Sequence, residues 1–261
     1  MNLGSMIEES CSRFPERIAL IHEGKRITYA ELNRAVNALE NHLKKLGIGK
    51  GDHISIMLPN SPDFVISYFA AQKIGAVVVT INVMSTPYEL HHFLHNSDSK
   101  VFITVTSSAR RYEEIKDKLP LCKHLILTDE KEDSQFRTIV NQGPFELETA
   151  GIDGDDDAVM IYTSGLTGKP LGAVLTHNNL MTQAALLKVL GDGDENDRAL
   201  AVIPFFHSFG AAANMIAILK SGASTVLMER FTLDTIFAAI QNEKVTYICA
   251  VPRLFLGMLF H

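Results

Sequence analysis

Val159-Met160-Ile161-Tyr162-Thr163, then Ser164-Gly165-Leu166-Thr167-Gly168-Lys169-Pro170-Leu171-Gly172, then Ala173-Val174-Leu175-Thr176: an apolar strand, a glycine-rich turn and a second apolar strand run on without a break. Three glycines let the backbone approach a ligand closely and adopt positive φ where needed. Successive amides in such a turn form a concave nest for anions. Thr163, Ser164 and Thr167 add hydroxyl donors, and Lys169 adds a positive charge. Together they suit a polyphosphate. A plain glycine turn exposed to solvent is the bland alternative, and the hydroxyls interleaved directly after an apolar strand argue against it. The P-loop of NTPases is excluded. Counted from Gly165, that motif requires Gly, Lys and Ser or Thr where this chain has Pro170, Leu171 and Gly172. The dinucleotide pattern G-x-G-x-x-G is absent as well.

Working outward, helices and strands alternate. Residues 17–22 read as a strand, with Glu23-Gly24-Lys25 as a turn. Thr28-Tyr29-Ala30-Glu31 is a capping box, followed by Leu32, Val36, Leu39, Leu43 and Leu46 at helical spacing until Gly47. Strands are expected at 53–58, 76–81, 101–105 and 124–128. Helices are expected from Ser61-Pro62, which Gly75 closes, from Pro87, and over 107–118. Residues 129–154 break the rhythm and read as a surface connection. Beyond the turn, a helix is expected from about Asn178 and strands at 199–203, 225–228 and 245–250. Short Val- and Ile-rich strands alternating with helices predict an α/β fold of stacked, doubly wound, mostly parallel sheets covered on both faces.

The 261 residues are 46% hydrophobic and 21% charged, with a net charge of -6. That is ample for a buried core, and the absence of a dense Lys/Arg run disfavours a nucleic-acid partner. Cys11, Cys122 and Cys249 are odd in number and far apart, which supports neither a disulfide framework nor a zinc site and fits a reducing, cytoplasmic compartment. The most apolar stretch, 209–219, is too short to span a bilayer, so no transmembrane segment is expected. Peripheral membrane contact and homo-oligomerisation stay open. His91 and His95 have the i, i+4 spacing of a metal pair, but no acidic residue of the H-E-x-x-H kind lies between them and no third ligand is evident. With His92 they lie on a helix pattern, and a surface or interface helix and no metal site are expected there. His177 reads as a structural helix start, and Asp155, Asp156 and Asp157 as a solvated loop.

The run Tyr162 to Leu180, YTSGLTGKPLGAVLTHNNL, resembles the phosphate-binding signature of the adenylate-forming superfamily. Phe14-Pro15, Thr28-Tyr29-x-Glu31-Leu32, Pro59-Asn60-Ser61 and Pro204-Phe205-Phe206-His207 fall in the order that family has, so the likeness covers the whole chain. The resemblance implies an acyl-CoA synthetase-like fold and the ATP-dependent activation of a carboxylic acid, fatty or other, to an acyl-adenylate and then a CoA thioester. ATP, Mg2+ and CoA are the implied cofactors and co-substrates. It implies that Thr163, Ser164, Gly165, Leu166, Thr167, Gly168 and Lys169 hold the nucleotide phosphates. It further implies that His207 orients the carboxylate or gates its pocket, with Phe206, Phe209, Gly210, Val251 and Pro252 lining the acyl side. From the bare residues, His207 reads instead as a helix-start histidine among aromatics.

Two positions depart from the signature. Leu166 stands where the family has Ser or Thr, and Leu171 where it has Lys. A charge-assisted contact contributes about 1.5–3 kcal/mol and a neutral one about 1 kcal/mol, so ATP affinity is expected to fall by a factor of about ten to several hundred. The family's magnesium-binding Glu, ribose-binding Asp, hinge and C-terminal lid with its catalytic Lys have no counterpart before His261. The chain therefore reads as a truncated N-terminal AMP-binding domain over 1–261, incomplete at its C-terminus and inactive alone. Residues of about 50–185 are expected to form one lobe, and about 1–49 with 195–261 the other. The alternative is a non-catalytic nucleotide- or acyl-binding or interaction module derived from such an enzyme; an unrelated phosphate-binding α/β protein is a third.

Overall fold

The computed structural model describes residues 1–128, 134–143, 151–163 and 170–261. In chain order the elements begin with α1 (Leu3–Arg13), β1 (Ile18–His22), β2 (Lys25–Thr28), α2 (Tyr29–Lys45), β3 (His53–Met57), α3 (Pro62–Lys73), β4 (Val77–Thr80) and α4 (Pro87–Asn96). There follow β5 (Val101–Val105), α5 (Thr106–Glu113), β6 (His124–Thr128), α6 (Gln135–Asn141), β7 (Asp157–Thr163), β8 (Leu171–Thr176) and α7 (His177–Gly191). The last elements are β9 (Arg198–Ala201), α8 (Ser208–Ala211), α9 (Ala217–Lys220), β10 (Ser224–Leu227), α10 (Leu233–Glu243), β11 (Tyr247–Ile248) and α11 (Pro252–Leu259).

The strands form two sheets. One has the order β11-β9-β10-β1-β2, the other β6-β5-β3-β4-β7-β8. Pairing is parallel except at the hairpins β1–β2 and β7–β8. Successive strand residues point to opposite faces, which explains how each sheet serves two cores. Ile54, Ile56, Val101 and Ile103 of the second sheet share one core with Ala19, Leu20 and Ala201 of the first, through Leu32, Val36, Leu39, Phe64 and Phe69 of α2 and α3. On the far side of the second sheet, Met57, Val79 and Phe102 meet Leu90, Phe93 and Tyr112 of α4 and α5. On the far side of the first, Ile21, Leu200 and Val226 meet Ile236 of α10. The result is a central helical layer between two sheets, each covered outside by further helices.

The local signals act as expected. Thr28 and Glu31 close their capping box, and Pro87 opens α4 behind the Thr86–Glu89 box. Gly47 and Gly75 adopt φ of +79° and +74° just past their helices, a region in which a Cβ is costly. Three expectations need correction. Residues 129–154 are not wholly a surface connection, because α6 buries Phe136, Ile139 and Val140 against α2. The hairpin around the glycine-rich turn is zipped further than expected: Thr163 pairs with Leu171 and Tyr162 with Gly172, so the second strand starts at Leu171. The helix after it starts at His177, as read from the sequence, with Thr176 as its cap. The final strand is two residues long rather than spanning 245–250.

Candidate functional site

The glycine-rich turn and the Pro204–His207 segment come from different sheets, and specific side chains bring them together. Asn60 follows β3 and is buried. Its Nδ2 donates to the Ala201 and Ile203 carbonyls at 3.1 and 3.0 Å, and its Oδ1 accepts from the Phe205 amide at 2.8 Å. Thr80, at the end of β4, donates from Oγ1 to the Phe206 carbonyl at 2.8 Å. Phe205 is buried with its ring 5.6 Å from that of Phe64. These contacts attach the end of β9 to the carboxyl ends of β3 and β4, where parallel sheets place their ligands.

A cleft of about 280 Å³ lies at this junction, lined by Thr80, Asn82, Ser85, Phe93, Tyr162, Thr163, Pro170, Phe206 and His207 among others. Thr163 and Pro170 flank the turn. Ser164, Gly165, Leu166, Thr167, Gly168 and Lys169 lie outside the described residues. Leu171 is the first residue of β8 and its side chain is exposed.

His207 stands at the start of α8, in the N-cap position, and makes no side-chain capping hydrogen bond. Its ring lies 4.4 Å from that of Phe206 at the cleft's rim. Desolvation lowers its pKa, which keeps the imidazole neutral at neutral pH. Phe209 is exposed on α8. Gly210 is buried, and a Cβ there would run into the Pro204 carbonyl oxygen, so glycine is a packing requirement. Val251 and Pro252 are exposed at the start of α11. None of these four lines the cleft that Phe206 and His207 share. Behind His207 the helix contains a π-helical turn, Ala212–Ile216, a distortion common near functional sites. From it the buried Asn214 donates to the Cys249 carbonyl at 3.4 Å, tying the segment to the approach of α11.

His177 is fully buried, and its Nδ1 accepts from the Leu3 amide at 3.2 Å. Burial depresses its pKa to about 4, with the nearby Lys50 acting in the same direction and Asp156 against it. His91 and His95 stack face to face at 5.7 Å. Among the described residues, no three His, Cys, Asp or Glu side chains gather as a metal site. A larger cleft of about 1,020 Å³ opens at the carboxyl ends of β3, β5 and β6, beside the Asp63–Arg137 pair (2.8 Å), and holds none of the residues given a nucleotide- or acyl-binding role from the sequence. Sequence reading missed two contributors. Asn60 entered only as part of a motif, and His92, which bonds the Pro170 carbonyl, as part of a surface or interface helix.

The fold is of the two-sheet α/β class, with the β7–β8 hairpin of one sheet opening onto the same cleft as His207 of the other. The chain belongs to the AMP-binding enzyme family, which matches residues 7–261. It is 37% identical over 246 residues to 4-coumarate–CoA ligase 3 of Arabidopsis thaliana, covering 90% of this chain and 43% of that protein. It is 30% identical over 291 residues to the long-chain-fatty-acid–CoA ligase of Bacillus subtilis (strain 168), covering 99% and 52%. The inhibitor-bound N-terminal domain of FACL13 from Mycobacterium tuberculosis superposes with a TM-score of 0.90 at 29% identity, covering 98% of this chain and 64% of that one. The chain spans about half the length of the curated relatives it matches.

Proposed function

We propose that these residues form the N-terminal portion of an ATP-dependent carboxylate–CoA ligase, supplying part of the phosphate cradle and part of the acyl pocket. One observation carries this reading: Thr163 and Pro170, the two flanks of the glycine-rich turn, open onto the same cleft as Phe206 and His207. In the reaction, the acid's carboxylate attacks the α-phosphate of ATP and releases pyrophosphate, and CoA thiolate then displaces AMP from the acyl-adenylate. The turn, residues 163–169, holds phosphate oxygens through backbone amides and hydroxyls. Neutral His207 donates a hydrogen bond to the carboxylate and fixes its approach. Phe206 lines the acyl side, whose apolar character favours an aryl or fatty acid; Phe209, Gly210, Val251 and Pro252 do not reach that cleft.

Mg2+ supplies charge neutralisation in phosphoryl chemistry of this type. The described residues do not gather a ligand set for it, so no step is assigned to it here. Three free cysteines support a cytoplasmic location. No helix among the described residues is long and apolar enough to cross a membrane. Leu166 and Leu171 favour a second reading, a non-catalytic nucleotide- or acyl-binding or interaction module derived from such a ligase. Pyrophosphate release with a panel of aryl and fatty acids, run on this chain and on the product of the whole open reading frame that contains it, separates the two. Acid-dependent release by the whole product is expected, and its absence with every acid would favour the module.

A further inference from the structure

We propose that His92 is a positioning residue, which anchors the trailing end of the glycine-rich turn to α4 and so sets the mouth of the phosphate site. The inference deepens the ligase reading and rests on it for the word phosphate; the anchor itself stands on geometry.

The turn is a loop between two antiparallel strands, and a two-stranded hairpin has little stability of its own. Here β7 is held by β4, whereas β8 lies at the edge of its sheet. The leading flank is also pinned by α4. Tyr162 donates from its hydroxyl to Asn96 Oδ1 at 2.8 Å and to the Phe93 carbonyl at 3.2 Å, and its ring packs 4.4 Å from that of Phe93. Among the described residues, the trailing flank has no neighbouring strand beyond β7. Its tie is His92, whose Nε2 lies 3.1 Å from the Pro170 carbonyl oxygen. A carbonyl only accepts, so Nε2 carries the proton and donates. The His92 ring also meets Tyr162 edge-on at 5.9 Å, so the two anchors brace each other.

Position and residue type both suit the task. Pro170 has no amide hydrogen to give the hairpin ladder, so its carbonyl is the group available to hold it. His92 and Phe93 are successive residues of α4, which is fixed by its capping box and by Leu90, Phe93 and Leu94 in the core beneath. The anchor is thus a side chain on a rigid element acting on the backbone of a binding turn. Pro170 and Tyr162 both line the cleft with His207, so a shift of the trailing flank moves phosphate donors relative to the carboxylate.

The test compares the unaltered chain with His92→Leu, which removes the donor, and His92→Gln, whose amide can donate to the same carbonyl. Three readouts are taken: amide hydrogen exchange at Leu171 and Gly172, the thermal unfolding midpoint, and affinity for ATP by calorimetry, the last with each form carrying Leu166→Thr and Leu171→Lys so that binding is tight enough to compare. His92→Leu is expected to speed exchange at those two amides and weaken ATP binding about 2- to 10-fold, the range set by one hydrogen bond of about 0.5–1.5 kcal/mol. The unfolding midpoint is expected to stay put, and His92→Gln to restore both other readouts. Unchanged exchange in His92→Leu would overturn the anchor. Faster exchange with unchanged ATP affinity would overturn its role in the phosphate site. If no form of the chain binds ATP, the phosphate reading fails, while exchange still decides the anchor.

Discussion

The Asn60 side chain and the Phe205 backbone, 145 residues apart, are joined by a buried 2.8 Å hydrogen bond, and the same amide group also donates to the Ala201 and Ile203 carbonyls. One side chain thereby closes three backbone groups at the junction of the two sheets, directly under Phe206 and His207. Asn60→Leu leaves those groups unpaired and is expected to cost about 2–4 kcal/mol. Denaturant unfolding measures the loss. A change below about 0.5 kcal/mol would mean that water or another side chain substitutes for the amide.

A buried charge cluster supports the central helical layer. Lys73 is fully buried and meets Glu8 at 2.6 Å, the equally buried Glu40 at 3.3 Å, and Asn37. Lys73→Met leaves Glu40 facing the interior with Lys44, at 2.6 Å, to balance it among the described residues. Breaking such a pair from one side is expected to cost about 3–5 kcal/mol. The Lys73→Met, Glu40→Met double variant is expected to recover a large part of that loss in the same unfolding experiment. A double variant as unstable as the single one would show that packing, rather than charge, is the cause.

Much of the fold was legible because its signals are local. Thr28 and Glu31, Pro87, Gly47 and Gly75 each act within one turn of chain, and long periodic runs such as Leu32 to Leu46 declare their buried face. What stayed hidden depends on distant partners. The seven residues of α6 are too few to show a period, and they become a helix against α2. Tyr247–Ile248 sit at a sheet edge, where only β9 supports them, so most of the apolar run 245–250 does not pair. In the site, the residue types at Thr163, Phe206 and His207 were readable. The roles of Asn60 and His92 were not, since their partners lie 141 to 145 and 78 residues away.

Acid should weaken the fold through His177. Its folded pKa, about 4, lies below the ordinary value of 6.5, so between these values the unfolded chain binds the proton and the folded one does not. Stability is therefore whole above about pH 6.5 and falls as pH drops towards 4, by on the order of 3 kcal/mol from this group. His177→Asn keeps an acceptor for the Leu3 amide without titrating. Chemical unfolding at pH 7, 5.5 and 4.5 should show the difference between the two proteins shrinking or reversing as pH falls. A constant difference would contradict the assignment.

Gly210→Ala places a methyl group against the Pro204 carbonyl, which is backbone and cannot swing aside. A cost of about 1–3 kcal/mol is expected. The displaced 204–207 segment should also change the environment of His207, seen as a moved imidazole resonance in NMR. An unchanged resonance and midpoint would show that α8 can shift as a unit.

The central claim is that the turn over residues 163–169 holds nucleotide phosphates and that Leu166 and Leu171 weaken it. Calorimetric titration of the chain with ATP and magnesium, set beside the Leu166→Thr, Leu171→Lys variant, tests this most directly. The unaltered chain is expected to bind no tighter than millimolar, and the variant tighter by a factor of about ten to several hundred, as one neutral and one charge-assisted contact return. Equal affinities in the two proteins, or submillimolar binding by the unaltered chain, would contradict the account.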